Sequence, residues 1–329
     1  MKYLITGATG YIGTQLTKRL IAEGHKVYAL YRSEPKADEL RAMSNVILKK
    51  GDLLDRPSLD AAVVGCDAVF HVAAFAKPWD KNPQTFYDYN LNGAVNVFEA
   101  ARKAGAKRVV FTSTAGTISP KTGNLPSDEA TPRTVDFFTD YDRSKAEAEV
   151  AAKQMSTQGM EIITVNPSRV YGPGLLSDSN GVTRMVKMYL AGKFRLLPGD
   201  GNSSGNYVFI DDVVNGHLAA MQHGRAGERY ILGGENASFN QFFETLSCIA
   251  GKKTSMIKLP LSVMNLAAHV MEFRANLTGK APLLTPPWVK RFHYNWELSS
   301  EKAKRELGYQ PVTLEQGLRE TVNWLGKNK

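Results

Sequence analysis

Three glycines set the first limit on what this chain can become. Gly7, Gly10 and Gly13 stand in LITGATGYIG, directly behind the apolar run KYLIT. They open a helical pattern in which Ile12, Leu16 and Leu20 share one face and Gly24 ends the run. A strand that turns into a helix across glycines gathers backbone N–H groups at the positive end of the helix dipole. It also removes the side chains that would hold an anion off. Gly7 then makes the turn, Gly10 admits phosphates and Gly13 lets the helix pack on the strand. The spacing departs by one residue from G-x-G-x-x-G, and glycines behind a strand can equally be a plain tight turn. Their place at the first strand-to-helix turn favours a dinucleotide pyrophosphate site, to which Thr9, Tyr11 and Ile12 also belong.

The first half of the chain supports that reading. From Tyr3 to about Asn166, β-branched runs (KYLIT, KVYALY, NVILKKGD, DAVFHVAA, RVVFTST, EIITVNP) alternate with helical stretches, one of them over Thr85 to Ala104. Short apolar strands separated by crossover helices predict an α/β fold, a doubly wound parallel sheet with helices on both faces. Beyond Asn166 glycine and proline break the rhythm, and the later elements, such as YVFIDDVVNGHLAAM and ERYILGG, stand apart. We therefore expect residues 1–165 to form the dinucleotide-binding domain. Residues 166–329 form a smaller mixed α/β substrate lobe, some segments of which return to the first domain.

The net charge of +9 calls for an anionic partner, but the basic residues form no run longer than the pairs at Lys49–Lys50 and Lys252–Lys253 or the tail GKNK. That argues against a nucleic-acid groove and leaves a phosphate-bearing small molecule sufficient. Cys66 and Cys248 lie far apart without metal-ligand spacing, so no metal is expected and both read as free thiols of a cytoplasmic protein. The amino terminus runs straight into a strand rather than a signal peptide. The segment LPLSVMNLAAHVMEF is interrupted by Ser262, Asn265, His269 and Glu272, so it predicts an amphipathic helix against a core, or less favourably against a membrane surface, and no membrane span.

The end of the second strand reads ALYRSEPK. An acidic residue there would hold the adenosine ribose of NAD, whereas an arginine accommodates the 2′-phosphate of NADP. Tyr31 stands without a carboxylate and Arg32 follows, which favours NADP(H) while leaving NAD(H) open, since Arg32 can also be a solvated strand-end charge. Asp52 in GDLLD, beside Leu53, has a carboxylate suited to the adenine amino group.

DYDRSKAEAEV places Tyr141 and Lys145 one helical turn apart, and an ammonium beside a phenol favours the phenolate, the setting of a general acid/base. Thr114, in VFTSTAG, sits at the carboxyl end of a predicted strand, where open α/β sheets bind ligands. With TGxxGxxG, Thr114, Y-x-x-x-K and NPSRVYGPG in this order, the chain resembles the extended short-chain dehydrogenase/reductases, the NAD-dependent epimerase/dehydratase family, over nearly its whole length. The resemblance implies a Rossmann fold and an NAD(P)-dependent enzyme. Tyr141 moves the substrate proton, Lys145 also holds the nicotinamide ribose, Thr114 bonds the reacting oxygen and Asn90 supports a proton relay. It further implies that Val72, Ala73, Ala74 and Thr112 lie along the cofactor and that Pro167, Ser168 and Val170 flank the nicotinamide, with His71 packed rather than catalytic.

Within that family, Ala115 and Gly116 stand where sugar dehydratases carry an acidic pair, and no arginine stands just before YVFIDDV to clamp a sugar nucleotide, with Arg184 and Arg195 left as substitutes from another direction. The features VFTSTAGT, HVAAFAKPWDKNPQTFYDYN and GHLAAMQHGRAGERYILGGEN resemble the dihydroflavonol 4-reductase-like branch, which includes proteins named as hopanoid-associated sugar epimerases. The expected reaction is hydride transfer to a ketone or aldehyde of a bulky, largely apolar small molecule, or its reverse. Phe75, Trp79, Asn166 and Tyr171 are the candidate pocket residues. An NAD-retaining epimerase and a non-catalytic dinucleotide sensor are the competing readings, and a homodimer through the helices near 85–104 and 143–158 is the expected assembly.

Overall fold

The computed structural model describes residues 1–252 and 254–327; Lys253 and the last two residues of the basic tail, Asn328 and Lys329, lie outside them. The six strands expected from the sequence form as β1 (Lys2–Thr6), β2 (Lys26–Tyr31), β3 (Val46–Lys50), β4 (Ala68–His71), β5 (Arg108–Thr112) and β6 (Glu161–Pro167). Between them run α1 (Tyr11–Ala22), α2 (Glu34–Arg41), α3 (Arg56–Val63), α4 (Gln84–Tyr87), α5 (Gly93–Lys103) and α6 (Asp140–Thr157). The rest of the chain forms β7 (Arg169–Tyr171), α7 (Gly181–Leu190), β8 (Leu196–Pro198), β9 (Ser204–Phe209), α8 (Ile210–His223), β10 (Arg229–Leu232), β11 (Glu235–Ser238), α9 (Phe239–Ala250), β12 (Ile257–Leu259), α10 (Leu261–Thr278), α11 (Pro286–Arg291), α12 (Glu301–Leu307) and α13 (Leu314–Lys327).

The main sheet has seven parallel strands in the order β10-β6-β5-β4-β1-β2-β3. Its order reverses between β1 and β4, and a ligand crevice opens at such a switch point. Both faces are covered, which is why the strands read as unbroken apolar runs. Period-two alternation assigns the side chains. Tyr3, Ile5, Phe70, Val110 and Ile163 face α1, α8 and α12, while Leu4, Val69, Val109, Phe111 and Ile162 face α3, α5 and α6. The seventh strand, β10, comes from ERYILGG, and with α8 and α12 it returns from the second half of the chain to complete the first unit. A third core of aromatic residues, Tyr171, Tyr189, Tyr207, Phe209, Phe242 and Phe243 among them, holds α7, α9 and α13 to the mixed sheet β11-β9-β7.

Two segments depart from the periodicity. The helix expected over 85–104 is broken by one π turn, Asp88–Asn92, before α5 resumes, and that turn carries Tyr89 and Asn90. The segment LPLSVMNLAAHVMEF does form a helix, α10, but it does not lie apolar side down on a core. Its buried residues are Ala268 and Ala275, while Val263, Leu266, Val270, Phe273 and Leu277 face solvent. Alanine gives α10 a close seat on its neighbours, and the larger apolar side chains are left on the opposite side.

Candidate active site

The glycine turn is built by contact. Gly7 has φ +71°, and a Cβ there would lie 2.6 Å from the Ala73 nitrogen, so the turn after β1 fits directly under the loop after β4. A Cβ on Gly13 would run into the Gly7 carbonyl, which is how α1 seats against β1. Gly10 is different, because the nearest protein atom to its absent Cβ is the Gly7 oxygen at 3.2 Å. It is the N-cap of α1, no side chain caps the helix and its first turn holds no acid, so the leading N–H groups stay available to an anion. Thr9 lies at this turn, and Ile12 leans on the third core. Tyr11 is turned the same way, its hydroxyl donating to the Gly172 carbonyl at 3.0 Å, so what it offers the turn is backbone.

At the far end of the crevice Arg32 donates to Asp52 at 3.2 Å and to the Tyr89 hydroxyl at 2.7 Å, and lies over the Tyr89 ring. Two residues read separately from the sequence thus meet, and Tyr89, which sequence reasoning missed, sits between strand end and π turn. Tyr31 donates to Glu34, and Leu53 is buried against Gly93.

Helix α6 is capped at Thr139, whose hydroxyl accepts from the Asp142 N–H at 3.1 Å. Asp142 is fixed in turn by Arg291 of α11 at 2.8 Å. Tyr141 and Lys145 share the face of α6 turned toward β5. The sequence argument expects a lowered phenol pKa, and the structure shows the reverse. Burial and then the Asp142 carboxylate push Tyr141 up, against smaller pulls from its hydrogen bond with Thr114 and from Arg291. Lys145 contributes little because burial disfavours its own charge, taking it down to about 7 against a smaller opposing effect of Glu149. Its Nζ lies 4.2 Å from the centre of the Phe111 ring and has no hydrogen-bond partner.

Glu149, one turn beyond Lys145, is the residue sequence reasoning missed most clearly. It accepts from Ser113, from Thr117 at 2.8 Å and from Asn166 at 2.7 Å, and pairs with Arg229 of β10. Its signal was available as the spacing Tyr141, Lys145, Glu149, but its partners come from distant strands. Asn90 brackets the site from the other side, accepting from the Phe75 N–H at 2.8 Å and donating to Ser144 at 3.1 Å.

The NAD dependent epimerase/dehydratase family model matches residues 3–233. The chain belongs to this family. It is 31% identical, over 97% of its length and 95% of the relative's, to a Stigmatella aurantiaca ketoreductase named for 4-hydroxy-2-methyl-3-oxo-4-farnesyl-3,4-dihydroquinoline-1-oxide. It is 29% identical to sterol demethylase protein B of Methylococcus capsulatus, over 98% of each chain. Among solved structures, UDP-glucose 4-epimerase of Thermotoga maritima with UDP-glucose superposes with a TM-score of 0.82 at 25% identity, covering 100% of this chain and 99% of that one. The protein is thus an NAD(P)-dependent extended short-chain dehydrogenase/reductase.

The residues present fit the family's cofactor. Besides the open N-terminus of α1, buried polar atoms without partners include Lys145 Nζ, Asn166 Oδ1 and Ser168 Oγ, a set that a ribose and a carboxamide would complete. Val72 and Ala73 hang from Thr6, through its carbonyl and its hydroxyl, and Ala74 is exposed beyond them. Pro167 ends β6, and Val170 is half-buried in β7. The Thr112 hydroxyl is committed to His217 at 2.8 Å, which leaves only its backbone toward the crevice. His71 is packed between Phe98 and Phe111, with Nδ1 on Thr6, and burial holds it well below the usual imidazole range.

Of the candidate pocket residues, Phe75 stacks on Tyr89 and Trp79 is half-buried on the loop beyond it. Asn166 lies beneath Thr114, donating to its carbonyl at 3.1 Å. Tyr171 is buried in the third core with its hydroxyl on Leu314. One opening near the site is not revealed by the sequence. A cleft of about 650 Å³ adjoins the segment leading into α6, walled by Phe137, Phe138, Leu261, Pro286, Pro287 and Val289.

Proposed function

We propose that this enzyme uses NADP(H) to reduce a ketone or aldehyde on a bulky, largely apolar small molecule, or to run the reverse oxidation. The observation that carries this reading is the apolar cleft beside the amino-terminal end of α6, the turn that holds Tyr141. Phe137 and Phe138 stand immediately before Thr139, so the wall of the cleft and the turn that carries Tyr141 are one continuous segment. The farnesyl-bearing ketone in the name of the Stigmatella relative is of this class.

The roles derive from the side chains. Backbone N–H groups of the first turn of α1 hold the pyrophosphate, the Gly10 N–H being kept by the Gly7 carbonyl, and Arg32 neutralises the 2′-phosphate at the price of its bond to Asp52. When bound, the dinucleotide supplies or takes up hydride. Lys145 donates to its ribose, and in doing so becomes a charged neighbour that brings the Tyr141 phenol down toward working pH. Tyr141 gives its proton to the carbonyl oxygen, which Thr114 holds by its hydroxyl, and Asn90 keeps the loop at Phe75 against α6 so that the proton can be replaced. Gly116 packs against the Asp142 carboxylate, which leaves no room for the acidic side chain of a sugar dehydratase.

The test is NADPH oxidation against ketones and aldehydes with large apolar groups, beside a UDP-glucose epimerisation assay. Oxidation with the carbonyls supports the reductase. Epimerisation with firmly retained NAD, and no carbonyl turnover, replaces it with the epimerase. The expected homodimer through α5 and α6 is read separately, from the mass by light scattering at tens of micromolar.

A further inference from the structure

We infer that α10 docks this enzyme on an anionic lipid surface. Val263, Leu266, Val270, Phe273 and Leu277 are 50–71% exposed. At 3.6 residues per turn they fall within an arc of about 80°, almost opposite the buried Ala268 and Ala275. Leu283 and Trp288, just beyond the helix, are exposed as well. A stripe of large apolar side chains exposed opposite the seated face of a helix suits the plane of a membrane interface, and no helix among the described residues is long and apolar enough to cross a bilayer.

Charge selects the occupant. Leaving out Arg291, which is paired with Asp142, residues 252–290 contain six lysines and arginines against one acid, Glu272, a net +5 of the chain's +9. Exposed Lys258 and Lys280 bracket α10, Arg274 borders the stripe, and Lys290 projects from α11, which packs beside it. A second copy of the same face would set these charges against their own kind. An anionic headgroup layer is complementary to them.

The first turn of α10 also supplies Leu261, Ser262 and Asn265 to the wall of the cleft beside α6. Docking therefore brings the cleft to the lipid, so that an apolar substrate enters without crossing water. This last step rests on the reductase reading; the docking itself does not.

The experiment is co-sedimentation with phosphatidylcholine vesicles, with and without one-third phosphatidylglycerol, for the wild type and for the double variant Leu266→Glu, Phe273→Glu. Both substituted side chains already face solvent, so the melting temperature and the turnover of a water-soluble carbonyl stay at wild-type values. The wild type should pellet with the anionic vesicles, less so in high salt, and the double variant should bind more than about tenfold more weakly. No pelleting of the wild type, or equal pelleting of both proteins, overturns the inference. A wild-type dimer that the substitutions convert to monomer, without vesicle binding, overturns it in favour of a second copy. Because sedimentation needs no turnover, a failed carbonyl panel beside positive sedimentation removes the reductase reading and leaves the docking intact.

Discussion

Helices α6 and α10 are both 18 residues long, but α6 buries polar side chains that hydropathy would expose and α10 exposes large apolar ones that it would bury. The first reads DYDRSKAEAEVAAKQMST, a polar surface helix by composition, yet it buries Asp142, Ser144 and Lys145 along with Ala148 and Ala152. The second reads LSVMNLAAHVMEFRANLT, rich in large apolar residues, yet it buries two alanines. Hydropathy predicts burial only where the core is the sole demand on a helix. Where a polar group is buried without a partner, or a large apolar group is exposed in a row, the fold is holding it for something else.

The comparison can be broken at four points, in decreasing order of expected effect. Tyr141→Phe keeps the ring and loses the hydroxyl, so carbonyl turnover should fall about 10²–10⁴-fold while NADPH affinity, read by fluorescence titration, stays near wild type. Undiminished turnover would remove α6 from the chemistry. Glu149→Ala strips an acceptor shared by Ser113, Thr117, Asn166 and Arg229, and should cost about 2–4 kcal/mol in urea unfolding. Glu149→Gln should recover part of that loss, and a cost no larger than at a surface position would show the network to be idle.

Arg32→Ala comes next. Losing one charged contact to the 2′-phosphate should weaken NADPH by about 1.5–3 kcal/mol and leave NADH nearly unchanged. Equal losses for both cofactors would return Arg32 to an ordinary strand-end charge. On the other helix, Val270→Ser should leave unfolding within about 0.5 kcal/mol of wild type, since its side chain already meets water. A larger loss there would mean that α10 is covered by protein after all.

The sequence was most legible where one physical demand acts alone. The glycine turn could be read because only missing side chains allow β1, α1 and the Ala73 loop to meet, and the six strands because both sheet faces demand apolar residues. Tyr141 and Lys145 could be paired because one helical turn relates them. Their charge states could not be read, since these depend on burial among Phe111, Glu149 and Asp142, which the fold assembles from separate elements. Tyr171 fails as a pocket residue for a similar reason. An aromatic beside a cofactor segment and an aromatic in a neighbouring core have the same local sequence, and only α13 and the Leu314 carbonyl tell them apart. The outward stripe of α10 was equally hidden, because periodicity finds an apolar face without saying what it faces.

The proposed site depends on α6 keeping Lys145 buried and unpartnered until the dinucleotide completes it. Burial lowers Lys145 to about 7 from the ordinary lysine value, so in protein stripped of dinucleotide the unfolded chain binds the extra proton between pH 7 and the unfolded pKa. Lys145 therefore destabilises the fold most below pH 7, and the cost is relieved as pH rises through that window. A ligand that accepts a hydrogen bond from the ammonium raises its pKa again, so binding must take up a proton above pH 7. The direct measurement is NADPH affinity from pH 6.5 to 9.5 in the wild type and in Lys145→Met, with proton uptake followed in weak buffer. Wild-type affinity should fall as pH rises, with proton uptake, and Lys145→Met should bind weakly with neither the slope nor the uptake. The same slope and uptake in both proteins would contradict it.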